Sequence, residues 1–295
     1  MVLAIVIYRC PVQVLDVATW TARAAAHEAR VDAWVRPHLE RRREGVPHPV
    51  EDFLFTYYSQ RPAAFRRWHP GYGVALEDAP AYRSLRGYAG SPVSVSCDHL
   101  ASQAWLLRSV RSLLLATASR QPNLACFGMH EWAMVYRQSP EQVRHSSWPL
   151  RLGAAGTDRV VESHRIGCSH FDAFRFFTPS AVARNVLQPT SDDRPSFEQP
   201  GCLHAGMDLY KHAFRLTPLV PSELVADCFA LARDIRALDM RASPYDFTAL
   251  GYEPVRIETV EGKQEYVEAQ RGFAERAAPL RSRLADECER LLTSL

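Results

Sequence analysis

The sequence predicts a mainly α protein: a single helical domain over residues 1–295, with a small β-hairpin insertion near residues 157–177. Three observations carry that reading. Long segments repeat apolar residues every three or four positions, the period of a helix with one face turned inward. One segment, residues 170–177, alternates with a period of two, which suits a strand. The 47% apolar content of 295 residues supplies a core for one large domain or two modest ones.

Residues 1–8 are apolar and lack the basic start of a signal peptide, so a buried strand or ordered arm is expected. Residues 19–43 read as one long helix with a Trp20, Ala24, Val31, Trp34 stripe. Pro37 is expected to kink or divide it. Its charged end, Arg41-Arg42-Arg43, is either a solvated helix end or a phosphate contact. Pro49 followed by Glu51 and Asp52 starts a second helix, because early acids suit the N-terminal dipole. Arg66 and Arg67 beside Trp68 form a basic-aromatic patch of the kind that grips a nucleic acid strand.

Residues 71–92 are rich in Gly and Pro and read as irregular. Residues 98–119 form an amphipathic helix with Leu100, Trp105, Leu106, Val110 and Leu114 inward, capped by Ser96 or Asp98. Residues 124–137 form the next helix, which carries His130 and Glu131. Residues 150–157 are a turn. Residues 159–166 are expected to pair with the 170–177 strand through Gly167 and Cys168, making the hairpin. Residues 188–200 are polar, hold three prolines and read as a surface loop. Residues 222–240, capped by Ser222, and residues 266–292, interrupted near Pro279, complete the helical set.

Two short stretches carry most of the chemistry. Residues 201–211 (Gly-Cys-Leu-His-Ala-Gly-Met-Asp-Leu-Tyr-Lys) follow Pro200 and begin a helix near Cys202. His204, Asp208 and Lys211 then share one face. Residues 167–177 place His170, Asp172, Phe174 and Phe176 on one face of a strand. The two stretches are expected to meet in one site.

Three arrangements of these residues are open. In the first, they cleave an N-glycosidic bond, which passes through an oxocarbenium-like transition state. Asp172 and Asp208 are the candidate carboxylates and His204 the acid-base partner. Phe174, Phe176 and Tyr210 offer a slot for the base, with Trp132 a further candidate. Arg175 and Lys211 hold phosphate, and His170, His130 and Glu131 complete the substrate contacts. Lys211 is also a candidate Schiff-base nucleophile. In this arrangement no cofactor is needed. In the second, the site holds non-haem iron or zinc on His170, Asp172 and His204, and the substrate is a small molecule or nucleoside. Cys168-x-His170 with Cys202-x-His204 is a weaker ligand set, since zinc sites usually space paired ligands more widely. In the third, both stretches are a buried polar network without turnover.

Other features bound the function. A formal net charge of +2 sets up no global field towards nucleic acid. The first half is basic by about five charges and the rest acidic by about three. Lys211 and Lys263 are the only lysines in a set of 35 basic residues. Seven scattered cysteines without Cys-x-x-Cys suit reduced thiols in the cytoplasm. No apolar run is long enough for a bilayer. P-loop, Gly-x-Gly-x-x-Gly, Gly-x-Ser-x-Gly and His-Glu-x-x-His motifs are missing.

Residues 49–58 (Pro-Val-Glu-Asp-Phe-Leu-Phe-Thr-Tyr-Tyr), 170–177, 202–211 and 234–246 together resemble a family of mainly actinobacterial proteins usually labelled 3-methyladenine DNA glycosylase. The likeness covers almost the whole chain. It implies DNA repair by base excision of alkylated purines such as 3-methyladenine, with damaged DNA as the partner; the near-neutral charge fits a nucleoside substrate better. The Leu-Pro-Gly-x-Gly hairpin of the best-known helical DNA glycosylases is not in this sequence. No catalytic residue is therefore carried over, and the candidates rest on the local chemistry.

Overall fold

The computed structural model describes residues 13–139 and 147–295. The strand or arm expected over residues 1–8 lies outside them. The chain is mainly helical, with a small four-stranded sheet.

Strand β1 (Gln13–Leu15) leads into helix α1 (Val17–Glu44), whose N-cap Asp16 accepts from the Thr19 N–H. Pro37 does not divide it: α1 runs through. Gly45 ends it in the left-handed conformation, where a Cβ would be strained. Short helices α2 (Phe53–Tyr57) and α3 (Pro62–Arg66) follow.

The stretch expected to be irregular holds β2 (Val74–Leu76), α4 (Pro80–Arg83), β3 (Tyr88–Ala89) and then β4 (Val93–Val95) just beyond it. The sheet order is β1-β2-β4-β3, with β1 parallel to β2 and the other pairs antiparallel. Strands this short carry too few residues for a period to register in the sequence.

The expected helix over 98–119 is two, α5 (Cys97–Ser102) and α6 (Ala104–Ala118), with Ser96 capping the His99 N–H. Trp105 points outward, 75% exposed, rather than into the core. In the next segment only α7 (Met129–Ala133) is helical.

The β-hairpin expected near 157–177 does not form. Residues 153–163 are α8 (Gly153–Ser163), and residues 171–174 are a single helical turn, α9 (Phe171–Phe174). Ile166 does make one bridge, but to Asn185. The alternation over 170–177 is too short to exclude a helical turn, and His170 N-caps that turn instead of leading a strand.

After α10 (Pro179–Val182) and α11 (Arg194–Phe197) comes α12 (Leu203–Arg215), N-capped by Cys202 where the Pro200-Gly201 break places it. Helix α13 (Ser222–Arg241) starts after Pro221; the Ser222 hydroxyl does not cap it but accepts from the His69 N–H at 2.8 Å. A 3-10 turn (Thr248–Leu250) precedes α14 (Val260–Thr293), which passes unbroken through Pro279.

Helix α12 is the centre of the molecule. It packs mainly on α13 and also on α14, and α14 packs on α6. Helix α12 lies close against α13 at Gly206, where a Cβ would come within 2.7 Å of Ile235 Cδ1. One apolar cluster runs from Leu15 through Leu54, Leu107, Tyr210 and Phe229 to Leu291. Among the described residues no helix is long and apolar enough to cross a membrane.

Candidate functional site

The two stretches do come together. Lys211 on α12 sets its ammonium between Asp172 and Asp208, 2.7 Å from Asp172 Oδ2 and 3.1 Å from Asp208 Oδ2. His204, Asp208 and Lys211 share a face because residues four and three apart on a helix lie above one another. Asp172 reaches them from the first turn of α9.

Around Asp208 the charges close completely. Tyr58 donates its hydroxyl to Oδ1 at 2.9 Å, and Arg194 Nη2 donates to Oδ2 at 2.7 Å. His170 Nε2 stands 3.4 Å from Oδ2. Arg194 also binds Glu198 at 2.5 Å and lies 3.7 Å from Asp172. Burial raises the Asp208 pKa, but the Lys211 ammonium and the His170 contact outweigh it and hold the carboxyl well below its usual range. Burial raises Asp172 too, and the hydrogen bond and charge of Lys211 turn the balance downwards. Burial lowers Lys211 and Arg194, yet the carboxylates leave both cations above their ordinary values.

A cavity of about 450 Å³ opens beside this network. Phe53 and Tyr57 from α2 and Phe176 from beyond α9 give it aromatic faces. Glu131 and Asp172 contribute carboxylates, Arg175 and Arg236 guanidiniums, and His204 an imidazole, with Thr56 and Met134 between them. Phe53 and Tyr57 stack at 4.9 Å, 10° from parallel. Arg175 is 45% exposed and lies over Phe176 at 4.4 Å. His204 also lines a smaller hollow of about 20 Å³, with Cys126, His130, Cys168, Cys202 and Tyr266.

A second buried cluster borders both hollows. His130 Nε2 lies 3.0 Å from Asp239 Oδ1. Arg236 Nη1 binds Asp239 Oδ2 at 2.9 Å and Glu131 Oε1 at 3.1 Å. The His130 and His204 rings meet edge to face at 4.5 Å, and His170 follows at 5.3 Å from His204. Burial and the neighbouring His130 charge push His204 well below the usual imidazole range, so it is neutral at pH 7. Burial lowers His130 as well, but the Asp239 carboxylate more than offsets it and the net shift is upward.

Several sequence expectations change at this point. Asp208 does not line the large cavity; its oxygens are used by Tyr58, Arg194 and Lys211. His204 reaches the cavity, but its depressed pKa does not suit a cationic acid at neutral pH. His170 is fully buried between Glu198 and Asp208. Tyr210 is also fully buried and packs on Phe65, Phe214 and Phe229, so it offers no slot for a base. Phe174 packs on Phe177 rather than lining the cavity. Lys211 is held by two carboxylates, which leaves its amine no free pair for a Schiff base.

His170, Asp172 and His204 do not form the ligand cluster, nor do the Cys168 and Cys202 pairs; among the described residues, the His/Cys/Asp/Glu group close enough for one ion is His130, His204 and Asp239. The Arg66-Arg67-Trp68 patch is not a stacking surface either: Trp68 is 1% exposed and Arg66 is paired with Glu28 and Asp32.

The sequence reading missed Arg194, Glu198, Tyr58, Arg236 and Asp239. Arg194 and Glu198 sit in the segment expected to be a surface loop, where Glu198 and Gln199 are buried. Arg236 and Asp239 are three apart on α13, a spacing that does put them on one face. No protein family, no curated protein and no solved structure matches the chain.

Proposed function

We propose that the protein hydrolyses an N-glycosidic bond of an alkylated purine, held in the 450 Å³ cavity as a nucleoside or as a nucleotide turned out of DNA. The observation that carries this reading is the meeting of an ionised carboxylate and three aromatic rings in one opening of the right size for such a ligand. Asp172 is the carboxylate that stabilises the positive sugar or orients the attacking water. Lys211 keeps it ionised.

The neutral state of His204 favours an alkylated base over an ordinary one. A purine methylated at a ring nitrogen already carries a positive charge, so it departs neutral and needs no proton from the enzyme. Its charge also suits an aromatic lining whose Phe53 and Phe176 faces already carry the Arg236 and Arg175 guanidiniums at 3.7 and 4.4 Å. Arg175, half-exposed beside the opening, is placed for a phosphate. The resemblance noted in the sequence points the same way.

The test is release of 3-methyladenine or 7-methylguanine from methylated DNA and from the corresponding nucleosides. The wild type is expected to release base, and Asp172→Asn to lose at least about a hundredfold of the rate while remaining folded. No release by the wild type on any of these substrates removes the function. Undiminished release by Asp172→Asn removes the role given to that residue.

A further inference from the structure

The imidazoles of His130 and His204 and the carboxylate of Asp239 each offer one ligand atom, and the three atoms lie within 4.8 Å of one another. From this geometry and from the few partners these buried side chains have, we propose that His130, His204 and Asp239 bind a divalent first-row transition ion.

His130 Nε2 and Asp239 Oδ1 face each other at 3.0 Å as an ion pair, and neither atom has another hydrogen-bond partner. Both side chains are buried, Asp239 completely. His204, 9% exposed, has no hydrogen-bond partner among the described residues and borders both hollows. A buried carboxylate oxygen and imidazole nitrogen that have only each other within hydrogen-bond distance, with a second imidazole within 4.8 Å, are satisfied together by one cation.

Two imidazoles and one carboxylate are the donor set of three-ligand iron and zinc sites, which keep positions open for water or substrate. In a tetrahedral site bonds of about 2.1 Å hold ligand atoms about 3.4 Å apart, so side-chain rotations that draw the atoms together by about 1 Å close the site. The surroundings fit. Arg236 holds Asp239 by Oδ2, which leaves Oδ1 for the ion. This is the outer hydrogen bond that orients a ligating carboxylate. Arg236 also fixes Glu131, which stands at the cavity wall next to the open side. The approach runs through the 450 Å³ cavity by way of His204.

The inference does not rest on the glycosidic reading: the ligand set excludes Asp172, and the ion would be held whatever the cavity binds. The test is metal content and metal titration on the full-length protein. After removal of adventitious metal, the protein is titrated with Zn²⁺, with Co²⁺, and anaerobically with Fe²⁺. The wild type is expected to take up one equivalent, and Asp172→Asn to take up the same. His130→Gln, His204→Gln and Asp239→Asn are each expected to weaken binding by about a hundredfold or more.

A second readout uses the wild type alone, in case these variants do not fold. Its Co²⁺ form is expected to show hyperfine-shifted, exchangeable imidazole N–H resonances from two histidines. Absence of stoichiometric binding of all three ions overturns the site. So does full binding by the three folded variants, or a Co²⁺ spectrum without imidazole signals. Loss of base release in Asp172→Asn with the ion retained separates the two proposals.

Discussion

Lys211 stands between two carboxylates from different parts of the chain, and its 2.7 Å bond to Asp172 ties α9 to α12. Its second contact, 3.1 Å to Asp208, lies within α12 itself. One ammonium therefore both joins two segments and keeps two neighbouring acids ionised. Lys211→Met removes a largely buried charge and leaves Asp172 and Asp208 without it. Breaking a buried pair from one side costs about 3–5 kcal/mol. A urea unfolding midpoint reads this directly, and a loss below about 1 kcal/mol would show that solvent screens the bridge.

Tyr58 gives a gentler probe of the same network. Its hydroxyl donates to Asp208 Oδ1 at 2.9 Å. Burial first, then the charge of Asp208, raises the phenol well above its ordinary pKa, so it stays a donor across the neutral range. Tyr58→Phe keeps the ring and removes the hydrogen bond. A bond to a charged acceptor is worth about 1.5–3 kcal/mol, and the variant is expected to lose that much in chemical denaturation.

The buried histidines set the response to acid. Burial takes His69 and His212 down to about 3, and His204 also falls well below 6.5. The unfolded chain binds a proton at each position once the pH drops below about 6.5, while the folded chain does not. Their stabilising contribution is whole above that pH and declines as the pH falls towards the folded values. Each site contributes a slope of up to about 1.4 kcal/mol per pH unit.

His130, raised in the fold, acts in the opposite sense: its contribution is present at low pH and lost as the pH rises through its folded value. Asp172 and Asp208 contribute above about 3.9 and lose that contribution as the pH drops through their depressed values. The expected result is a steep loss of stability from pH 6.5 to 4, measured by urea midpoints. His69→Gln is expected to reduce that slope by up to about 1.4 kcal/mol per unit.

The aromatic lining bears on substrate affinity. Tyr57→Ala and Phe176→Ala each remove a ring from the cavity without touching Asp172's bond to Lys211. Base–aromatic stacking is worth about 1–3 kcal/mol per base, so KM for an alkylated nucleoside is expected to rise about five- to a hundredfold. Unchanged KM in both variants would place the substrate elsewhere.

Packing at the α12–α13 crossing is open to a direct check. Gly206→Ala brings a methyl within 2.7 Å of Ile235 Cδ1. The helix preference for Ala over Gly, about 1 kcal/mol, opposes the strain. Overpacking of this kind costs about 1–3 kcal/mol, so a net loss of up to about 2 kcal/mol in thermal or chemical unfolding is expected.

The sequence carried α12 well and its partners poorly. A break at Pro200-Gly201 and a 3.6-residue pattern are local signals, and they placed the helix start and the common face of His204, Asp208 and Lys211. The segment around Asp172 reads as a strand in the sequence but is a helical turn, because a period of two over a few residues also fits one turn flanked by extended chain. Arg194 and Glu198 were hidden because polar, proline-containing segments usually face water, whereas here the guanidinium turns inward to three acids. Asp239 was visible only as one acid among several near the end of α13. What singles it out is its nearness to His130, 109 positions back along the chain, and only tertiary packing creates that contact.

Helix α12 also fixes a length. His204 and Lys211 are seven residues apart, and at 1.5 Å per residue their backbones stand about 10 Å apart along the axis. The imidazole group and the ammonium with its acids are thus mounted on a single rigid bar, gripped at Gly206 between them. A slide or tilt of that bar carries both ends together, so a ligand that draws one towards itself necessarily repositions the other.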